Sequence, residues 1–496
     1  MPEAIPVQNP ATGEVIERLE LAGPAAVDAA VAAARKAQPE WGAATPGERA
    51  AVLNRVAVLL EERAEEFAAT ETRQCGKPIR LSREFDVPGT SDNAAFFAAA
   101  ARVLEGKASG EYSADHTSSI RREALGVVGS IAPWNYPLNM AGWKIFPALA
   151  AGNAVVIKPA EITPLTTIML ARLFEEAGLP EGLLTVLVGT GPVVGEALVS
   201  HAGVDMVSFT GSTPVGKRVA VLAAQGPRRV HLELGGKAPF VVFDDADLDA
   251  AVQGAVAGAL INGGQDCTAA TRAYVQRPLY DRFVAGVADV LDTVRMGDPV
   301  DPATDLGSLI SATQAERVHG FVSRAVAAGA RAVRGGTGPA TELSPAFYPP
   351  TLLVDAAQDA EIVRDEVFGP VLVVLPFDND DQGIALANDT RFGLAASAWT
   401  RDVYRAGRAS RELAAGCVWI NDHIPIVSEM PHGGIKASGY GKDMSAYALE
   451  EYTSVKHVMS DNTGRARKDW HRTVFAGTPR QQAEQPAAVQ PGDPHV

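Results

Sequence analysis

The sequence predicts an α/β protein built on two parallel sheets, with a β-hairpin projecting from them. Three observations predict it. From about residue 126, short β-type runs alternate with helical stretches, the pattern of a parallel sheet covered on both faces. A second series of the same kind begins near residue 239. Between the opening helices and the first series, the polar, alternating segment 109–123 is flanked by glycine and reads as a hairpin.

Taken in order, residues 24–40 read as an Ala-rich helix, with Asp28 early and Arg35 and Lys36 late, the order a helix dipole favours. Residues 46–72 and 90–104 read as a second and a third helix. The first α/β series runs through GVVGSIAP, NAVVIKP, LLTVLVG and DMVSFTG, with helical stretches between them. The second runs through PFVVFDD, AYVQR, VLVVLPF, LAASAWT and GCVWIN. YTSVKHVMS, near the end, is expected to add a strand beside the hairpin. The tail from 461 is polar and rich in Gln and Pro, and is expected to be disordered.

A chain of 496 residues exceeds one ordinary core, so two or three domains are expected. The net charge of −15 argues against nucleic acid or an anionic membrane as partner. No apolar run is long enough to span a bilayer, and the first residues lack the pattern of a signal peptide. The cysteines are Cys75, Cys267 and Cys417. They offer no disulfide framework and no metal spacing, so no metal is expected and a reducing cytoplasm is.

Cys267 lies in INGGQDCTAATR, a glycine-rich, polar setting unlike a core run. A helix N-terminus beginning at the thiol would depress its pKa, and the glycines would give it a mobile approach. Glu233, in HLELGGK, ends a strand just before Gly235 and Gly236; a carboxylate there suits a general base towards water. Asn135, in the rigid turn PWNYP, offers an amide donor for an oxyanion. FTGSTPVG places Ser212 or Thr213 as the cap of a helix with Pro214 at its first position, a ready anion site. GTGPVVG is a weaker phosphate signal. Lys158 and Glu161 follow a third strand, where an acid can bind ribose hydroxyls. Glu366 and Phe368, in EVFGP, precede a strand of the second series.

Together PWNYP, KPAE, FTGSTPVG, LELGGK, GQDC, EVFGP, GLAASAWT and PHGGIKASGYG, in this order and spacing, resemble the aldehyde dehydrogenase superfamily over about residues 5–458. The resemblance implies an NAD-binding domain (1–108 and 125–234), a catalytic domain (235–450) and an oligomerisation arm (109–124 and 451–460) that builds a homodimer or homotetramer. It implies that Cys267 attacks the aldehyde, that Asn135 and the Cys267 N–H hold the oxyanion, and that Glu233 activates water against the thioester. It further implies that NAD is the cofactor, held by Trp134, Lys158, Glu161, Gly211, Ser212, Glu366 and Phe368, with the helix after FTGS, not GTGPVVG, taking the phosphates.

GQDCTAATR, VSEMPHGG and SGYGKDMS are similar to the γ-aminobutyraldehyde (4-aminobutanal) dehydrogenases of polyamine and putrescine catabolism. That resemblance implies 4-aminobutanal as substrate, with 3-aminopropanal, betaine aldehyde or a neutral aldehyde as alternatives. Asp266, beside Cys267, is the expected anion for the amine, unless backbone N–H groups claim it. Tyr136 and Trp143 are expected to offer cation–π contact; Asp92 and Glu429 are further acidic candidates. Two positions depart from the pattern: Ile261 and His432 stand where several relatives carry aromatics. Rival readings are a catalytically silent scaffold, a cofactor-free thioester hydrolase, and a CoA-acylating relative; the intact acids, Asn135 and Lys158 argue against the first, and Glu233 against the last.

Overall fold

The computed structural model describes residues 4–103, 106 and 108–475. Of the tail expected from residue 461, the strand Thr453–Asp461 claims the first residue and Asp469–Thr473 form a 3-10 turn. Residues 476–496 lie outside the described residues. The chain divides into two compact units, residues 1–105 with 122–454, and residues 106–121 with 455–496.

The larger unit holds both α/β sheets. The first has six strands in the order Gly439–Tyr440, Arg229–Leu234, Met206–Gly211, Val127–Ile131, Ala154–Lys158, Leu184–Val186, parallel except for the first. The second has seven, in the order Arg331–Arg334, Thr351–Val354, Val371–Phe377, Arg272–Gln276, Pro239–Val242, Ala395–Trp399, Cys417–Ile420, parallel except for Arg331–Arg334. The expected boundary at 234/235 falls between strands of different sheets. In the second sheet Val241 and Tyr274 pack into one core, and Phe240, Val242, Ala273 and Val275 into another. That alternation is the period of two by which a strand covered on both faces feeds two cores.

The opening helices run Pro24–Ala43, Pro46–Glu62, Ala64–Cys75 and Val87–Ala101. Thr45 and Glu48 close a capping box on the second, satisfying backbone donors that a helix start leaves open. The single helix expected over 46–72 is two. Arg63, at φ −114° and ψ 22°, breaks the helical path and caps both pieces, and no Gly or Pro signals it.

The smaller unit carries the expected hairpin turn, with Gly110 opposite Ser118 and Ser113 opposite His116. Asn462 ties it down, its backbone N–H donating to Asp115 O and its amide to Thr117 Oγ1. The strand containing YTSVKHVMS joins the hairpin strands in a three-stranded sheet. Among the described residues no helix is long and apolar enough to cross a membrane.

Candidate active site

Four parallel strands of the first sheet deliver candidate residues at their C-terminal ends, where open α/β sheets bind ligands. Val127–Ile131 leads into Trp134 and Asn135, Ala154–Lys158 ends on Lys158, Met206–Gly211 on Gly211, and Arg229–Leu234 carries Glu233. The second sheet contributes from the opposite ends of its strands: Cys267 precedes Arg272–Gln276, and Glu366 and Phe368 precede Val371–Phe377. They meet at a cavity of about 410 Å³ lined by Trp134, Asn135, Tyr136, Trp143, Gly211, Ser212, Glu233, Asp266, Cys267, Glu366, Phe368 and His432, with Phe85, Met140 and Ile426 among the apolar walls.

The expected mobile approach to Cys267 is instead a tight, buried turn. Asn262, Gly263 and Gly264 all have positive φ, at 49°, 66° and 69°. A side chain on Gly264 would collide with the Gly369 backbone, so only glycine fits there. Asn262 Nδ2 donates to Asn135 O at 2.8 Å, and Asn135 Nδ2 donates to Gln265 O at 3.0 Å. The candidate nucleophile and the candidate oxyanion donor are thereby locked to one another. His423, from a distant loop, is within 2.8 Å of Thr268 O and 2.9 Å of Ser397 Oγ.

No helix begins at Cys267. The chain passes through a turn into the strand Arg272–Gln276. Without a helix dipole, burial and the nearby Glu233, Asp266 and Glu366 carboxylates hold the thiol well above its usual pKa. The expectation of a lowered pKa therefore fails. Thr268 to Thr271 form the buried turn and link that lead into the strand.

Glu233 is 1% exposed, and neither carboxylate oxygen has a hydrogen-bond partner. Burial raises its pKa, and His432, with Nε2 3.8 Å from Glu233 Oε1, opposes that shift. Gly235 and Gly236 bring the strand end against its neighbours. A side chain on Gly236 would collide with the Cys267 carbonyl, and one on Gly235 with the Glu366 carboxylate. The Gly236 N–H donates to Glu366 Oε1 at 3.0 Å, while burial pushes Glu366 up to about 7.

Also lining the cavity, Trp134 meets Phe368 edge-on at 5.2 Å. Phe368 has a φ of 59°, and its carbonyl accepts from Gln314 Nε2. Arg317 donates to the carbonyls of Glu366 and Val367. Sequence reading missed both residues that fix this loop; an isolated Gln and Arg on a helix carry no local signal. Ser212 caps the helix Thr213–Ala223, and its side chain makes no capping hydrogen bond. Lys158 and Glu161 pair at 3.0 Å, two strands away from Ser212 in the sheet, and do not line the main cavity.

The other wall differs in part from expectation. Asp266 lines the cavity, and its Oδ1 accepts both the Thr268 N–H and hydroxyl at 2.6 Å. Tyr136 and Trp143 line it too, but they are not open aromatic walls. The Lys77 ammonium lies 4.3 Å over the Tyr136 ring, and the His432 ring lies 5.0 Å from Trp143. Lys77 is fully buried and paired with Glu71 and Asp86. Asp92 does not line the cavity; it is exposed and accepts from Ser428 Oγ at 2.6 Å. Glu429 is exposed as well.

Known proteins share this architecture. A family model described as the aldehyde dehydrogenase family matches residues 1–458. A betaine aldehyde dehydrogenase of Cereibacter sphaeroides is 44% identical over 455 residues, covering 92% of this chain and 93% of the relative. Among solved structures, PnpE from Pseudomonas sp. WBC-3 superposes with a TM-score of 0.92 at 38% identity, covering 95% of this chain and 96% of its own. The NAD+ complex of an aldehyde dehydrogenase from Bacillus cereus gives 0.91 at 39% identity, covering 93% and 94%. With two sheets, a cysteine between their facing ends and a match along nearly the whole chain, this protein belongs to the aldehyde dehydrogenase family.

Proposed function

We propose that this chain oxidises an ω-aminoaldehyde, 4-aminobutanal by preference, to the carboxylic acid with NAD+. One observation carries the substrate reading: Asp266 presents a carboxylate on the cavity wall beside the nucleophile. A primary ammonium donates hydrogen bonds and suits a carboxylate. A trimethylammonium group has no donor and suits open aromatic faces, and here Lys77 lies over Tyr136 while His432 packs on Trp143. The naming of the Cereibacter relatives as betaine aldehyde dehydrogenases favours betaine aldehyde as the second reading.

The residues fit the cofactor. Glu366, Phe368, Trp134, Gly211 and Ser212 all line the cavity, and Trp134 packs on Phe368. The uncommitted Ser212 side chain at a helix start suits a phosphate. Lys158 and Glu161 would hold the distal ribose, and Glu161 would repel a phosphate there. NAD+, when bound, accepts the hydride that leaves the substrate carbon.

Cys267 Sγ adds to the aldehyde carbon. Its proton passes to solvent as the thiol reacts, and the new oxyanion accepts hydrogen bonds from the Cys267 N–H and the second hydrogen of Asn135 Nδ2. One Asn135 hydrogen is already fixed on Gln265 O, so the donor is oriented before substrate arrives. After hydride loss the acyl group is a thioester on Cys267. Glu233, buried and unpartnered, takes a proton from water as the water attacks that thioester. The acid leaves, and Cys267 Sγ regains a proton from Glu233.

Self-association through the hairpin unit is part of the proposal. Its exposed Tyr112, Val455 and Met459 surround a cleft of about 270 Å³, apolar surface of the kind that subunits cover. The three free cysteines suit a reducing cytoplasm.

The test is NADH formation from 4-aminobutanal beside 3-aminopropanal, betaine aldehyde and butanal, each with NAD+ and NADP+. A kcat/KM highest for 4-aminobutanal with NAD+ is expected. A profile highest for betaine aldehyde moves the reading to the second substrate, and a profile indifferent to charge discards amine recognition.

A further inference from the structure

Glu233, Cys267 and His432 meet at one point of the cavity. One donor atom from each lies within 4.8 Å of the other two. Glu233 is 1% and His432 5% exposed, yet neither Glu233 oxygen nor His432 Nε2 has a hydrogen-bond partner. Buried polar atoms are normally paired. A base that must reach water accounts for bare oxygens on Glu233, but not for the bare imidazole nitrogen.

His432 is held for its position. Its backbone exchanges both hydrogen bonds with Asp443, at 2.9 and 2.8 Å, and its ring packs on Trp143. Nε2 is thereby aimed at Glu233 Oε1, 3.8 Å away.

A thiolate, an imidazole and a carboxylate form the donor set that zinc takes; magnesium and calcium prefer oxygen alone. Zinc bonds of about 2.0–2.3 Å place tetrahedral ligands roughly 3.3–3.8 Å apart. Side-chain rotations of about 1 Å bring the three atoms to that spacing, and the cavity leaves the fourth position to water. The ligands come from three segments far apart in the chain, so the cysteine spacing gives no sign of them.

We propose that Glu233, Cys267 and His432 form a reversible zinc site that caps the nucleophile. On binding, the Cys267 thiol gives its proton to solvent and an S–Zn bond forms, with no oxidation or reduction. Binding depends on the geometry alone; the loss of activity it causes rests on the proposed role of Cys267.

The test uses the full chain, stripped of metal, titrated with Zn2+ and in parallel with Mg2+. Bound metal is measured by equilibrium dialysis, Cys267 reactivity by iodoacetamide labelling and peptide mass spectrometry, and turnover by NADH formation. One zinc per chain is expected, labelling of Cys267 slows at least about tenfold, and activity falls with the same midpoint and returns with EDTA. Magnesium does nothing. Replacing one ligand, in His432→Phe, raises the zinc midpoint at least about thirtyfold while metal-free labelling persists. Should that variant fail to fold by circular dichroism, His432→Gln and Glu233→Gln take its place with the same expectation. Zinc that binds without shielding Cys267, binds equally well to the folded variants, or fails to saturate at one per chain overturns the site. A metal-free enzyme without dehydrogenase activity, whose Cys267 zinc still shields, leaves the site standing and removes the proposed function instead.

Discussion

Two carboxylates flank Cys267, and their surroundings make them different reagents. Glu233 ends a strand, is almost fully buried and has no hydrogen-bond partner. Asp266 is half-exposed, and Thr268 holds one of its oxygens with two short hydrogen bonds. Burial without a partner disfavours charge and raises a pKa, which suits a proton acceptor. The Thr268 hydrogen bonds hold the Asp266 carboxylate in place on the cavity wall, which suits a fixed recognition group. Residue type alone does not divide these roles; the pattern of bonds does.

The sharpest way to break this comparison is Glu233→Gln. It is expected to slow thioester hydrolysis by about 10²–10⁴-fold, while a single-turnover burst of NADH persists in stopped flow. An acyl-enzyme adduct on Cys267 by mass spectrometry checks it; a variant with no burst would place Glu233 before the thioester. Asn135→Ala removes a donor that neither acid can replace. Its kcat is expected to fall by about 10²–10³-fold, with the burst slowed, the opposite kinetic signature. Asp266→Asn is smaller: KM for 4-aminobutanal is expected to rise about tenfold, the value of roughly 1.4 kcal/mol of lost charge pairing. Steady-state kinetics with butanal should show little change, and equal losses for both substrates would remove Asp266 from amine recognition.

The smallest effect sharpens the contrast through pH. Because the Glu233 pKa is raised, its protonated, inactive form persists above the ordinary carboxylate range. Hydrolysis of the acyl-enzyme is therefore expected to rise with pH through a midpoint above 4.5. His432 opposes the upward shift, so His432→Phe is expected to move that midpoint higher. The pH dependence of deacylation in pre-steady-state kinetics measures both, and a midpoint that falls would contradict the pairing.

Much of the site was legible because it is local. Asn135, Ser212 and Glu233, which line the cavity, each sit in or beside a turn that closes a β-type run, so a short motif names both the residue and its place. What stayed hidden joins distant segments. Nothing near Tyr136 announces that Lys77 covers its ring, and His432 registered only as an unusual residue until the fold set it against Glu233. Thr268 to Thr271 misled in another way. A helix start was expected at Cys267, but two threonines favour helix weakly and the chain turns straight into the buried strand Arg272–Gln276. The break at Arg63 was invisible for the same reason, since propensity favours continuing.

The short strand Gly439–Tyr440 pairs antiparallel with the strand carrying Glu233, Gly439 lying opposite Glu233 itself. Just before it, Ser438 donates to Gly235 O at 2.7 Å and accepts from Gly393 N at 3.0 Å. The reaction centre is thus finished by nearly the last part of the larger unit to leave the ribosome. A nascent chain that has already produced Cys267, Glu233 and Asn135 still lacks the edge strand that pairs with the Glu233 strand. A truncated product stopping before residue 438 is therefore expected to lack dehydrogenase activity even though it contains the proposed nucleophile.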